Sequence, residues 1–359
     1  MGARVRVLIV EDSPVVRELL EHVLETDPEI RVIGAARDGE EAVEAARRLK
    51  PDIITMDFHM PRMNGLDATR RIMETHPAPI VIVSGSSARD EVAQSFRLLE
   101  AGALAVVAKP PGPGHPEHAA AARELVQTVR LMAEVRVVRR WPRREATLRA
   151  APLRRPVEAA LDRPEIRLVA IGASTGPPVA LNTILSALPG DFSVPILIVQ
   201  HIAAGFTEGF VDWLARSSGL PVHVATGGAR PLPGHVYVAP DGRHMRLERD
   251  GSLALGGEAP ENGHRPSVAH LFRSVAAAMG PHAVGVLLTG MGTDGAAELG
   301  RMKEQGAITI AQDEGTSVVH GMPGEAISLD AATHVLSPGE IATALAGLVN
   351  DGGKQERRG

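Results

Sequence analysis

The 359-residue chain contains no cysteine. That excludes disulfides, thiol nucleophiles and cysteine-ligated zinc, and it leaves the compartment open. Aromatic residues make up only 3%. Any core must therefore be built from valine, isoleucine, leucine and alanine, which suits buried parallel strands. No apolar run approaches the roughly 20 residues of a membrane span. Residues 1–10 lead straight into a short apolar strand, without the longer apolar stretch and small-residue cleavage site of a signal peptide. A soluble cytoplasmic protein is the expectation. The net charge of −5 gives no global pull toward nucleic acid or an anionic membrane. Neither is expected as a partner.

What is present is ordinary for a globular chain, with 44% hydrophobic and 23% charged residues. The length predicts about two domains, each able to bury its own core. In the first part, short apolar runs alternate with amphipathic stretches. Strands are expected at 5–10, 31–35, 53–56, 80–83 and 105–107, and helices at 14–25, 40–49, 66–75, 92–101 and 119–133. Five strand–helix units predict a doubly wound parallel sheet. An arginine-rich stretch with Pro142 and Pro152 follows and reads as an exposed linker. Its sharper reading is a docking surface for an acidic partner, with Trp141 as anchor. A second α/β pattern starts at Arg167, with strands expected at 168–171, 196–199, 222–225, 235–238, 284–288 and 307–311. Helices fit between several of them, as at 177–188 and 268–279, and the last ends near Val349. The fold class is α/β with two doubly wound parallel-sheet domains. The expected division is 1–133, a linker at 134–164, 165–350, and a disordered Gly- and charge-rich tail at 351–359.

Functional groups in open parallel sheets gather at the carboxyl ends of the strands. In the first domain that rule selects Glu11 and Asp12 after the first strand and Asp57 after the third. It also selects Ser84 after the fourth and Lys109 after the fifth. Three converging carboxylates repel one another and need a cation. Hard oxygen ligands suit Mg²⁺, and an ammonium such as Lys109 balances the remaining charge. Any one of these acids alone reads as a surface-loop residue, but five at five strand ends in matching order do not. The set resembles the receiver domain of two-component response regulators, over about residues 4 to 130. It is carried by Glu11-Asp12, by Asp57 in MDFHMPRMNG, by Ser84 and by Lys109-Pro110. The resemblance implies a flavodoxin-like fold and attack by Asp57 on the phosphohistidine of a histidine kinase. It implies Mg²⁺ held by Glu11, Asp12, Asp57 and the backbone carbonyl of His59, with Ser84 and Lys109 binding the product phosphoryl. Phosphoryl transfer asks chiefly for positioning and charge neutralisation. Receivers usually carry an aromatic residue three positions before the lysine. Here that position is Val106.

In the second domain, LVAIGASTG at 168–176 is a strand entering a tight, small-residue turn before a helix. Ser174 stands at the strand end, and Gly172 and Gly176 permit the turn. The helix N-terminus beyond it offers backbone N–H donors for an oxyanion. Alone the motif is weak, because a phosphate-binding turn looks similar. The next strand delivers His201 at its carboxyl end, a position where a lone histidine is usually structural. A later strand leads into TGMGTDG at 289–295, where Asp294 would orient His201. The same loop carries a rival reading. Gly290, Gly292 and Gly295 form GxGxxG after a strand, and Asp313 ends the next strand where a dinucleotide fold places its ribose acid. Against it, Asp294 would sit in the turn meant to cradle a pyrophosphate, where like charges repel.

Together these stretches resemble the CheB-type protein-glutamate methylesterases of bacterial chemosensory systems, which join a receiver to a catalytic domain. The match runs through IGASTG at 171–176, QHIAAGFT at 200–207, PGHVYVAPDGRH at 233–244, NGHRPSV at 262–268, LLTGMGTDGA at 287–296 and AQDEGTSVVHGMPGEA at 311–326. It implies a Rossmann-like α/β hydrolase-type domain with Ser174 as nucleophile, His201 as general acid–base and Asp294 as its orienting partner. The N–H groups of Thr175 and Met291 would form the oxyanion hole, and the esterase step needs no cofactor. The implied substrate is a γ-glutamyl methyl ester on chemoreceptor cytoplasmic helices, with deamidation of glutamines by the same route. Pro177 and Ala203 depart from the family's usual residues without touching a proposed catalytic group. Two rival readings are a receiver-controlled adaptor with a vestigial triad, and a transcription factor. The second lacks any compact helix–turn–helix.

Overall fold

The computed structural model describes residues 4–85, 89–135, 137 and 164–350. The expected tail, and all of the expected linker except residues 134, 135, 137 and 164, lie outside the described residues, as does Trp141. The first unit runs β1 (Val5–Val10), α1 (Pro14–Leu24), β2 (Ile30–Ala36), α2 (Gly39–Leu49), β3 (Ile53–Met56), α3 (Gly65–Thr75), β4 (Ile80–Ser84), α4 (Arg89–Ala101), β5 (Ala105–Ala108) and α5 (His118–Ala133). Its sheet has the order β2-β1-β3-β4-β5, every pair parallel. β3 and β4 are buried along their whole length, as continuous apolar strands covered by helices on both faces must be. Helix starts are set locally. The Ser13 hydroxyl accepts from Val16 N at 3.4 Å ahead of Pro14 in α1. The Asp38 carboxylate accepts from Glu40 N and Glu41 N at 2.8 and 3.0 Å ahead of α2.

The second unit runs β6 (Leu168–Ala173), α6 (Pro177–Ser186), β7 (Ile196–Gln200), α7 (Thr207–Ser218), β8 (Val222–Val224), β9 (Val236–Val238), β10 (His244–Leu247) and β11 (Leu253–Gly256). It continues through α8 (Val268–Met279), β12 (Ala283–Leu287), α9 (Ala296–Glu304), β13 (Ile308–Gln312), α10 (Met322–Ser328), β14 (His334–Leu336) and α11 (Pro338–Asn350). Seven strands form one parallel sheet in the order β14-β13-β12-β6-β7-β9-β8. β10 and β11 form a separate antiparallel ribbon. The chain extends the sheet one way from β6 and then returns to extend it the other way from β12. Its topological switch point therefore lies between β6 and β12, where such sheets place their sites. The ribbon and β14 were not expected from the sequence. β14 is three residues long and largely exposed, and the ribbon strands have only four residues each, β10 alternating polar with apolar and β11 ending on glycine, too short to leave a clear pattern.

The few aromatic residues are not spread evenly. Phe96 of α4 lies 5.3 Å from Phe210 and 5.6 Å from Trp213 of α7, ring centre to ring centre. Trp213 Nε1 donates to Glu100 Oε1 at 3.0 Å. All three rings are buried, and burying a large apolar side chain contributes about 2 kcal/mol. This cluster joins the first unit to the second beside the carboxyl ends of β6 and β7.

Candidate active site

Glu11, Asp12, Asp57, Ser84 and Lys109 lie together at the carboxyl ends of the first sheet. Asp57 N donates to Val10 O at 2.9 Å, which ties the end of β3 to that of β1. Lys109 Nζ lies 2.8 Å from Glu11 Oε2 and 3.0 Å from Asp57 Oδ2, and Lys109 N donates to Ser84 O at 2.7 Å. Asp57, His59, Ser84 and Lys109 line a cavity of about 150 Å³. Burial pushes the Glu11 carboxyl above its ordinary range, only partly offset by Lys109. Burial opposes the Lys109 charge too, but the two carboxylates outweigh it and leave that ammonium above its ordinary value. One carboxylate oxygen each from Glu11, Asp12 and Asp57 lies within 4.8 Å of the others. Three hard oxygen donors at that spacing, those of Glu11 and Asp57 buried and that of Asp12 exposed, fit a divalent cation. Gly65 belongs to the same scaffold: a Cβ there would stand 2.1 Å from Asp57 O, so no larger residue fits.

The second site is assembled at the switch point. Ser174 N donates to Thr289 O at 3.2 Å across β6 and β12, and His201 N donates to Ala173 O at 2.9 Å across β6 and β7. Gln200 braces the two: its Nε2 donates to Ser174 O at 2.6 Å and to His201 O at 2.7 Å. His201 Nε2 meets Asp294 Oδ2 at 3.0 Å. The other ring nitrogen, Nδ1, is buried without a hydrogen-bond partner among the described residues. Hence the structure pairs His201 with Asp294, and it sets Ser174 in the same cavity without a bond to His201. Nδ1 is the nitrogen left to receive a proton.

Asp294 is fixed from several sides. Val268 N donates to Oδ2 at 2.7 Å. Asn262 Nδ2, Ser267 Oγ and Ala269 N donate to Oδ1 at 3.1, 2.8 and 3.2 Å. Val268 and Ala269 open α8, so the carboxylate sits on a helix N-terminus. Burial alone would raise this carboxyl, but His201 and the side-chain donors outweigh it and hold it well below the carboxylate range. Thr175 and Met291 flank the same cavity, where Thr175 precedes the N-cap Gly176 of α6. The rival dinucleotide motif is otherwise engaged. Asp294 is held ionised inside the glycine turn, where a pyrophosphate would meet its charge, and Asp313 Oδ1 accepts from Thr316 N at 3.1 Å in its own turn. Sequence reasoning missed Gln200, Asn262 and Ser267. Asn262 and Ser267 lie within NGHRPSV, but nothing in that stretch reveals that it wraps Asp294.

The cavity of about 650 Å³ above Ser174 and His201 is walled on its far side by the first unit, including Val106 and Gln127. Gln127 Nε2 of α5 donates to Met291 Sδ at 3.4 Å. Ser174 therefore faces the first unit across this cavity.

Fold and site together define a class: an α/β serine hydrolase joined to a response-regulator receiver. The comparisons agree. The family model described as CheB methylesterase matches residues 169–345, and that of the response regulator receiver domain matches residues 7–120. A protein-glutamate methylesterase/protein-glutamine glutaminase of Geobacter metallireducens is 58% identical over 96% of this chain and 99% of its own. One from Nitrosospira multiformis is 56% identical over 98% of each chain. The crystal structure of the Thermotoga maritima CheB methylesterase catalytic domain matches with a TM-score of 0.50 at 36% identity. It covers 52% of this chain and 100% of that one. The chain belongs to the protein-glutamate methylesterase/protein-glutamine glutaminase family.

Proposed function

We propose that this chain removes methyl esters from glutamate side chains on chemoreceptor cytoplasmic helices, deamidates glutamines there, and does so under control of phosphorylation at Asp57. The observation that carries the reading is the His201–Asp294 pair beside Ser174, in a cavity walled by the receiver. Ser174 Oγ attacks the γ-carbonyl while His201 Nδ1 takes its proton. The imidazolium is stabilised through Nε2 by Asp294. The N–H groups of Thr175 and Met291 hold the oxyanion. His201 then returns the proton to the departing methoxide, or to the amide nitrogen of a glutamine. Methanol or ammonia leaves an acyl-enzyme on Ser174. Water, deprotonated by Nδ1, hydrolyses it and restores the serine and a free γ-carboxylate.

In the receiver, Asp57 accepts the phosphoryl group from a kinase histidine, and Ser84 and Lys109 bind its oxygens. Glu11, Asp12, Asp57 and the carbonyl of His59 would hold Mg²⁺, which neutralises charge on the transferring group. Phosphorylation weakens the contact of α4 with α7 and opens the cavity. No described helix is long and apolar enough to cross a membrane, in keeping with work in the cytoplasm. The test is methanol release from methylated receptor fragments by wild type and Ser174→Ala, each with and without beryllofluoride. Release that needs Ser174 and rises with the mimic supports both halves. No release from wild type in either condition sinks the hydrolase reading in favour of a receptor-binding adaptor, and equal release with and without the mimic sinks the gating.

A further inference from the structure

His264 stacks flat on His201, with ring centres 3.8 Å apart and planes inclined by 7°. The contact is built rather than incidental. Glu261 and His264 exchange backbone hydrogen bonds of 3.1 and 2.9 Å. They close a turn whose tip, Asn262 and Gly263, takes positive φ of 53° and 81°. That turn is anchored to α8 by Glu261, whose carboxylate binds Arg273 at 2.6 and 2.5 Å and His270 Nε2 at 2.8 Å. It delivers Asn262 to the Asp294 carboxylate and His264 to the face of His201. The turn thus touches both members of the pair.

The need for a second contact is geometric. His201 follows the last residue of β7 and stands in neither helix nor strand. Its Nε2 is held by Asp294, but one hydrogen bond fixes a distance and leaves the ring free to swing about that axis. Such a swing carries Nδ1 away from the serine hydroxyl. A flat ring lying against the imidazole face removes that freedom. Burial, with His201 alongside, pushes His264 down to about 4, opposed only in part by Asp294. The stacked partner therefore stays neutral near pH 7, and it presents a π face when His201 takes up a proton.

We propose that His264 is a positioning residue that sets the plane of the His201 imidazole, and so aims Nδ1 at Ser174. The proposal rests on the reading of Ser174, His201 and Asp294 given above. Full-length His264→Ala, His264→Phe and Ser174→Ala are compared with wild type on a methylated receptor fragment, following methanol release with beryllofluoride present. His264→Ala should lower kcat roughly 100-fold with KM little changed, the scale of a misplacement near 1 Å. His264→Phe keeps a flat ring and should recover all but about 5-fold of that loss. Thermal unfolding of each variant checks the fold. If His264→Ala keeps wild-type kcat, the proposal is wrong. The same holds if phenylalanine and alanine are equally impaired, since a ring then does nothing a cavity does not. Release that survives Ser174→Ala overturns the underlying reading of the site, and this proposal with it.

Discussion

Replacing Asp294 by asparagine tests how the catalytic pair is held. The carboxylate is only 1% exposed, so its donors cannot be replaced by water. Oδ2 accepts from Val268 N and His201 Nε2, and Oδ1 accepts from Asn262, Ser267 and Ala269. An asparagine has one oxygen to share among them. If that oxygen takes the Oδ1 position, the new NH₂ opposes the Val268 N–H, donor against donor. It also obliges His201 Nε2 to accept, so the imidazole proton moves to Nδ1 and the ring can no longer take the proton of Ser174. In the flipped orientation three donors lose their acceptor instead of two, which costs more. Two charge-assisted bonds lost at about 1.5–3 kcal/mol each, less about 1 kcal/mol for the neutral bond His201 Nε2 then accepts, put the destabilisation at about 2–5 kcal/mol. The wrong tautomer should lower kcat about 10⁴-fold. Urea unfolding measures the first figure and methanol release the second, with circular dichroism confirming a folded variant at the assay temperature. A folded Asp294→Asn enzyme within tenfold of the wild-type kcat would refute the claim that Asp294 sets the tautomer of His201.

Three further outcomes follow from the same geometry. His264 is held neutral down to about pH 4, whereas an unfolded histidine protonates near 6.5, so the unfolded state binds more protons between those values and stability falls as pH drops through them. Partial solvent contact discounts the full effect to about 2 kcal/mol; urea unfolding at pH 7 and pH 4.5 should show His264→Phe losing that much less than wild type, and equal losses would contradict the argument. A Cβ on Gly290 would lie 2.6 Å from Ser174 Cβ and 2.4 Å from Met322 Sδ. Gly290→Ala should therefore shift the nucleophile and cut kcat about 100-fold, read by methanol release alongside unfolding to confirm the fold. Trp213→Phe keeps an aromatic ring but loses the bond to Glu100, worth about 1 kcal/mol. Methanol release without any phosphoryl mimic should rise about fivefold, and an unchanged basal rate would count against α4 and α7 as the gate.

The strand-end rule reads well because it is nearly one-dimensional. An apolar run in a parallel sheet must end at one edge, and the next polar residue must stand there. Glu11, Asp57, Ser174 and His201 were legible for that reason. Residues that act across the sheet were not. Gln200 looks like the tail of an apolar strand. Its function comes from bonding two backbone carbonyls, those of Ser174 and His201, that only the pairing of β6 with β7 brings together. Asn262 and Ser267 are ordinary polar residues until Glu261 fastens their turn to Arg273 and folds it over Asp294. Against the rival GxGxxG reading stands the repulsion between Asp294 and a phosphate, and the structure gives that objection its physical form. The Asp294 carboxylate is held ionised by His201 and by the Val268 and Ala269 N–H groups, so a full negative charge stands inside the turn that leads into α9. Val106 raised the remaining question, since a receiver without its usual aromatic lacks the ring that would swing. Yet the chain does place an aromatic at the joint. Phe96 of α4 lies against Phe210 and Trp213, and α4 follows β4, whose last residue is Ser84. A helix that starts near the phosphoryl pocket and ends against the hydrolase can carry a displacement without a rotating ring. That contact joins residues more than a hundred positions apart, which no local pattern in the sequence records.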